Sequence, residues 1–482
     1  MTAGRNDGDR RGRSRPGWLS REQCEKLHEA SLQVLERTGV RLDEPEAVEL
    51  VRRAGATVDG DIVRLPAKLI ENALATAPRE FTIYDREGRP ALKLDGSRTY
   101  FGPGSDCLHI VDHRSGERRS PVLEDVRQGV TLCDALENID FAMSLFLPTD
   151  VRQQTADRHQ MRVLLNTTTK PLIFVTYDVS GCIDDIAMAE AVAGGPAALA
   201  ERPFLACYIN TASGLLHNRD SLEKLLFLAE KGVPVLYIPG SIAGLSGPAT
   251  VAGSVAMINA GVLAGLVIAQ LKREGAPFIV KAWGGGGLDM RTMVYGYAGP
   301  DSRRAAEAMG AYYDLPTFAL AGASDAKVVD QQAGAEAALT LMADALAGVD
   351  LIHDLGYLES GMSGSLAQLA ICEETVAWIR QFLAPVPVDD EALALEAIAA
   401  VGPAGQFLHS KHTLHHYKEQ WYPRLFERDN YNGWQAKGAT TLLERAAARV
   451  DEILGSHEQP VLPADVDQEL ARIVATADAR VA

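Results

Sequence analysis

The sequence predicts an α/β fold, a (β/α)8 TIM barrel with N-terminal and C-terminal helical additions. Three observations predict it. From Thr99 onward, short apolar or β-branched runs alternate with longer amphipathic stretches. Strands separated by one helix pair in parallel, because parallel neighbours need a long crossover between them. Eight such units in about 290 residues match the size of a barrel. A doubly wound open sheet is the other fold this rhythm allows, but the dinucleotide fingerprint that usually accompanies it is missing.

The elements follow in order. MTAGRNDGDRRGRSRPG is basic and glycine-rich with no apolar h-region, so residues 1–18 read as a disordered tail and not as a secretory signal. Ser20 and Gln23 form a capping-box pattern, Cys24, Leu27, Ser31 and Val34 recur at helical spacing, and Gly39 stops the helix. With PAKLIENALATAP as a second helix, residues 19–95 read as an N-terminal helical region. The barrel spans 96–385. Its strands are TYFGPGSDCLHIVD, IDFAMSLF, PLIFVTYD, PFLACYIN, VPVLYIPG, PFIVKAW, PTFALAGAS and VDLIHDLG. Gly232, Gly275 and Gly348 stand where helices end, since a residue without Cβ takes the left-handed cap conformation freely. After Pro385 the rhythm breaks, and 386–482 reads as a C-terminal helical extension.

Composition narrows the function classes. The net charge of -17 argues against nucleic acid and anionic membrane surfaces, since nothing neutralises phosphates in bulk. It suits a cationic small molecule, and equally plain solubility. The six cysteines are scattered with no CxxC pair, as expected of reduced thiols in a cytoplasmic protein. No apolar run reaches the ~18 residues of a membrane span.

In a barrel the reactive face lies at the C-terminal ends of the strands. Polar residues stand at nearly every strand end: Ser105 and Asp106, Tyr177 and Asp178, Asn210, Ser241, Trp283, then Ser324, Asp325 and Lys327, then His353, Asp354, Tyr357 and Glu359. That concentration points to an enzyme, although caps and turns account for single members. WGGGGLDM suits close approach of a ligand or a crowded loop. Asp350-x-x-His353-x-x-Gly356 is one residue too long for the cobalamin signature DxHxxG, so His353 is not read as a cobalt ligand. Cys107–His109 lacks the further ligands that zinc needs, and no metal site is expected. His409, His412 and His416 would share a helix face, as an exposed or interface cluster. The aromatics Phe101, Tyr177, Tyr237, Trp283, Tyr295, Tyr297 and Tyr357 supply faces for a quaternary ammonium, which has no hydrogen-bond donor.

Several stretches in one order, LSREQCEKLHEASLQVLERTGV, GASDAK, AGVDLIHDLGYLESGMSGS, VGPAGQFLHSKHT and DNYNGWQAKGATTLLERA, resemble the trimethylamine methyltransferase superfamily. The likeness is greatest to its branch without pyrrolysine, typified by glycine betaine methyltransferase. It covers nearly the whole chain after residue 18. The resemblance implies the barrel, and transfer of a methyl group from a quaternary amine to the cobalt(I) corrinoid of a separate partner protein. No cofactor would then be tightly bound by this chain. All residues are standard, so trimethylamine, the substrate of pyrrolysine-bearing members, is not expected.

On this reading His353 is the catalytic residue, holding or orienting the carboxylate end of a betaine-like substrate. Asp106, Trp283 and Tyr357 line the ammonium end, and Asn210 hydrogen-bonds the substrate. Asp325 and Lys327 match the family's SDAK and are carried as substrate-binding residues, with a buried ion pair as the alternative. The chain is expected to be cytoplasmic and a homo-oligomer. Two other classes stay open: a barrel lyase or hydrolase using His353 as acid–base, and a non-catalytic quaternary-amine binding protein.

Overall fold

The structure is a computed structural model that describes residues 18–281, 286–300 and 303–481. The tail expected over 1–18 lies outside the described residues up to residue 17. Seven parallel strands form one curved sheet: Tyr100–Pro103, Leu172–Val175, Leu205–Asn210, Val235–Ile238, Phe278–Lys281, Thr317–Leu320 and Leu351–Leu355. The first of these pairs with the last, with Leu351 opposite Tyr100.

The gap between Tyr100–Pro103 and Leu172–Val175 is closed by residues 140–143, the expected second strand. The Asp140 N–H donates to Phe101 O at 2.7 Å, and Ala142 exchanges bonds with Pro171 and Ile173. This position is irregular because the Asp140 carboxylate takes the Phe101 N–H at 2.8 Å, where a backbone carbonyl would continue the ladder. The barrel is therefore closed, with eight strand positions in the order read from the sequence. Eight helices wrap it, from Leu123–Ala135 after the first strand to Leu366–Leu383 after the eighth.

Side chains alternate along each strand, so every second residue faces the axis. Phe141, Ile173, Ala206, Leu236, Ile279, Phe318 and Leu351 form that interior. Burying one such side chain is worth about 1.5–3 kcal/mol. A Cβ on Gly102 would stand 2.2 Å from the Phe141 ring, so glycine is what lets that ring enter the axis.

The N-terminal addition differs from the helical region expected. Beside the helices Arg21–Gln33, Pro45–Arg53 and Ala67–Thr76 it holds five short strands. The hairpin Phe81–Tyr84/Pro90–Leu94 puts Ile83, Leu92 and Leu94 into the barrel interior. The Tyr84 N–H donates to Pro203 O, just before the fourth strand, so the hairpin plugs the N-terminal end. Asp350 locks the same end: its carboxylate accepts from Gly96 N at 2.6 Å and from Thr317 N at 2.9 Å.

One helix corrects the reading of apolar runs. Val251–Lys272 is long and apolar enough to cross a membrane by length and composition. It is instead a barrel helix, 78% buried in its most apolar window, packed between the barrel and the N-terminal addition. Its apolar residues run all round because it is covered on all sides.

Candidate active site at the barrel mouth

The eighth strand supplies the centre of the site. His353 alternates with Leu351 and faces the axis, where it is 1% exposed. Its ring stacks on Phe318 at 5.7 Å and meets the Tyr208 ring edge-on at 5.0 Å. A register shift between Ile352 and Leu355 turns the next residue inward as well. Asp354 adopts φ 89°, a conformation that costs about 1–3 kcal/mol in a residue with a side chain.

That bulge brings the Asp354 carboxylate to His353, with Oδ1 2.8 Å from Nδ1. The other oxygen accepts a short hydrogen bond from the Tyr297 hydroxyl. Nδ1–H donating to a carboxylate fixes the ring and leaves Nε2 for another partner. Nε2 is buried and has no hydrogen-bond partner among the described residues. An unsatisfied buried nitrogen beside a strained carboxylate is an arrangement that folding alone does not favour.

The loop after the sixth strand roofs this pair. Tyr297 meets Tyr295 at 5.8 Å and Tyr357 at 6.5 Å, both edge to face. Burial holds the phenols of Tyr208, Tyr297 and Tyr357 well above their ordinary value, and the Asp354 charge adds to it. All three are neutral; Tyr357 is buried, and Tyr208 and Tyr297 keep part of their surface accessible. WGGGGLDM is described from Gly286 on. A Cβ there would lie 2.2 Å from Gly296 O, so this glycine lets the loop fold tightly on itself.

Asp106 stands at the mouth after the first strand, the neighbour of the eighth, with φ 60°. Its Oδ1 accepts from Gln160 at 2.8 Å and Ser144 at 3.3 Å. Burial pushes its carboxyl up to about 6 against those two bonds. The charges of Asp106 and Asp354 both act on Cys107 and Tyr357.

The other predicted residues fall differently. The Tyr357 hydroxyl is bound to the backbone of Ser105 on both sides, so only its ring is available. Asp325 accepts from Tyr297 N at 2.9 Å and Ser360 Oγ at 2.8 Å, which makes it the brace of the tyrosine loop. Lys327 is exposed and donates to the Asp325 backbone carbonyl at 2.6 Å, so the buried ion pair does not form. Asn210 ends its strand exposed to solvent. Trp283 lies outside the described residues. Asp178 caps the helix Val179–Ala193 through Gly181 N. Glu359 pairs with Arg118 and Ser363. Among the described residues, no three His, Cys, Asp or Glu side chains gather as a metal site.

Sequence reasoning missed Lys281. It ends the sixth strand, alternates with the interior Ile279, and lies beside Phe318 in the ladder. Paired residues in a sheet point to one side, so Lys281 and His353 flank the Phe318 ring. Burial pulls its ammonium down to about 7. The signal was present: PFIVKAW places a lysine at the inward phase of an apolar strand.

Fold and site together define a barrel enzyme. At its C-terminal mouth a buried histidine and lysine stand with three phenols and two carboxylates. The comparisons with known proteins give the family. The model of the trimethylamine methyltransferase (MTTB) family matches residues 10–482, and the chain belongs to that family. It is a methyltransferase.

The trimethylamine methyltransferase MttB of Desulfitobacterium hafniense (strain DSM 10664 / DCB-2) is 30% identical over 95% of this chain and 93% of its own length. The glycine betaine methyltransferase of D. hafniense (strain Y51) is 29% identical over 95% and 96%. Among solved structures, the monomethylamine methyltransferase of Methanosarcina barkeri superposes with a TM-score of 0.50 at 13% identity, covering 90% of this chain and 88% of that one. That likeness speaks to the fold.

Proposed function

We propose that the chain moves a methyl group from a small carboxylate-bearing quaternary amine, of the glycine betaine type, to the cobalt(I) corrinoid of a separate protein. The observation that carries this reading is the buried His353 Nε2, with no partner among the described residues, beside the barrel-facing Lys281. A site that offers nitrogen donors together with carboxylates and phenol rings complements a zwitterion. Trimethylamine offers nothing to the donors. Choline offers a hydroxyl but no charge.

His353, with Asp354 accepting from Nδ1, directs an Nε2–H at the substrate carboxylate when the ring is doubly protonated. Lys281 adds a second cation below pH 7. The trimethylammonium group then lies toward Asp106 and the rings of Tyr208, Tyr297 and Tyr357, each ring face worth about 0.5–2 kcal/mol to a cation. Asp325 holds the tyrosine loop in place.

The carbon–nitrogen electron pair stays on the departing amine, which leaves as a neutral tertiary amine. No proton has to move, so no general acid is required. The corrinoid, as methyl acceptor and second substrate, supplies the electron pair for the new cobalt–carbon bond. The protein's part is alignment of the methyl group and exclusion of water.

The partner is supported by the rim of the mouth. Leu108, Tyr177, Leu245, Met290, Val328 and Met362 are each more than 40% exposed, one from each of six strand-end loops. An apolar, methionine-bearing ring around an active site suits a partner that docks and leaves. We also read the chain as a cytoplasmic homo-oligomer. Six buried free thiols support the compartment, and a long exposed apolar segment after residue 381 supports the assembly.

The test is spectroscopic. The protein, chemically reduced cobalamin and a panel of glycine betaine, proline betaine, carnitine, choline and trimethylamine are mixed, and methylcobalamin is followed. Methylation confined to carboxylate-bearing quaternary amines is expected. Silence with the whole panel, repeated with a corrinoid protein as acceptor, overturns the reading. Binding without transfer would make the chain a quaternary-amine binder. Turnover without corrinoid would make His353–Asp354 an acid–base pair.

A further inference from the structure

The stretch from residue 381 to residue 424 has no buried residue, yet it is folded. It forms the helices Asp390–Leu393, Leu395–Val401 and Lys411–His416. Asp389 caps the first through Ala392 N at 2.9 Å, and Ser410 caps the third through Thr413 N at 3.0 Å. Helices of four to seven residues are not stable alone in water, because nucleation costs more than so few bonds return. Ordering this much backbone needs burial to offset the lost entropy. The chain itself supplies only partial cover, at residues such as Val401, His412 and Thr413. Val386 is 80% exposed, Leu408 71%, Leu414 68% and Leu395 67%.

The arm has a fixed root. It leaves the end of the helix Leu366–Leu383, where Trp378 and Phe382 stack at 5.4 Å and are both exposed. It returns where Arg424 N–H donates to Glu374 Oε1 at 2.8 Å. Arg380 beside the root binds Asn138 and Asp140, which lead into the second strand position. Barrel helices run back from the mouth, so the root sits at the N-terminal end. A protein that meets the substrate must use the other end.

We infer that residues 381–424 are a dimerisation arm, through which two copies of this chain clasp each other across a two-fold axis. This rests on the homo-oligomer reading above and names the element that makes it. The methyl-transfer reading is independent of it.

Three features favour a second copy as the occupant. The first is size: about ten large apolar side chains, each showing roughly half of ~150–200 Å², give ~800–1,000 Å², close to the ~800 Å² per partner of a stable interface. The second is charge. Asp389, Asp390, Glu391 and Glu396 lie in the first half; the second holds Lys411, Lys418 and the histidines His409, His412, His415 and His416 against one carboxylate, Glu419. A two-fold axis between the halves sets acid against base twice, as an isologous interface requires. The His416–Glu391 pair, at 3.3 Å within one chain, shows that the halves attract. The third is position, since the arm leaves the mouth free for the acceptor protein.

Sedimentation velocity over a dilution series tests this on the full chain, the double variant Leu395→Glu/Leu414→Glu, and a variant with residues 386–420 replaced by a Gly–Ser linker. Wild type is expected at twice the 51.9 kDa chain mass, or a multiple of it. Both variants are expected to dissociate at least a hundredfold more readily, with an unchanged far-ultraviolet spectrum outside the lost helices. Amide exchange on wild type is a second readout that needs no variant. Protection over 390–416 should fall as the protein is diluted. A monomeric wild type sinks both the oligomer reading and the arm. An oligomer that persists in both variants, or arm amides unprotected in the oligomer, sinks the arm alone. Protection that appears only on adding the corrinoid protein assigns the surface to that partner and overturns the proposal.

Discussion

Asp354→Asn is the substitution whose size the structure sets most closely. The carboxylate takes two bonds, from His353 Nδ1 at 2.8 Å and from the Tyr297 hydroxyl. An amide keeps the shape and can still accept one of them, but it removes the charge. Hydrogen bonds to a charged group are worth about 1.5–3 kcal/mol and neutral ones about 0.5–1.5, so two bonds lose about 2–3 kcal/mol together. At about 1.4 kcal/mol per tenfold, kcat/KM for a betaine should fall roughly 30- to 150-fold. The ring also loses the carboxylate that fixes its orientation toward the substrate, so most of the loss should appear in KM. Steady-state methylcobalamin formation, with circular dichroism to confirm the fold, measures it. In a His353→Ala background the same substitution should add little to the loss of betaine binding measured by calorimetry, because both residues act through one contact. A change below threefold in the wild-type background would refute the positioning role given to Asp354.

His353→Ala should abolish turnover while leaving the thermal unfolding midpoint near wild type; wild-type rates would remove it from the site. The pH dependence of kcat/KM should show a narrow window. Asp106 is charged above about pH 6, and Lys281 is charged below about pH 7, so betaine capture should weaken on both sides. A flat profile from pH 5 to 9 would contradict this. Lys281→Met should weaken betaine capture but raise thermal stability at neutral pH and below. A lysine whose folded value is depressed carries a penalty that is fully present below its folded value and fades as pH rises toward the unfolded one. Equal stabilisation at pH 6 and pH 10 would show that the gain is packing alone. Lys327→Ala should change kcat/KM less than threefold, because its ammonium is exposed and reaches only a backbone carbonyl.

The barrel was legible because strand period and helix period alternate strongly over 96–385. The five N-terminal strands were not. They run three to five residues, too short to show alternation, and the hairpin over 81–94 forms only by filling the barrel floor. Position along each strand was enough to place His353 and Asp106 at the barrel mouth. Asp354 needed the register shift, which no sequence pattern displays. Tyr208 was hidden by the same rule that found the others, since it sits inside its strand and not after it. Lys327 was misjudged because a family motif carried it, while the fold turns its side chain to solvent.

The central claim is that a methyl group leaves a quaternary amine for cobalt held by another protein. Glycine betaine labelled with carbon-13 on its methyl groups, followed by NMR in the presence of enzyme and a cobalt(I) corrinoid protein, tests it directly. The account predicts one labelled methyl–cobalt signal for each dimethylglycine formed, and neither signal with His353→Ala. Label remaining wholly on the betaine, or appearing as methanol, would contradict it.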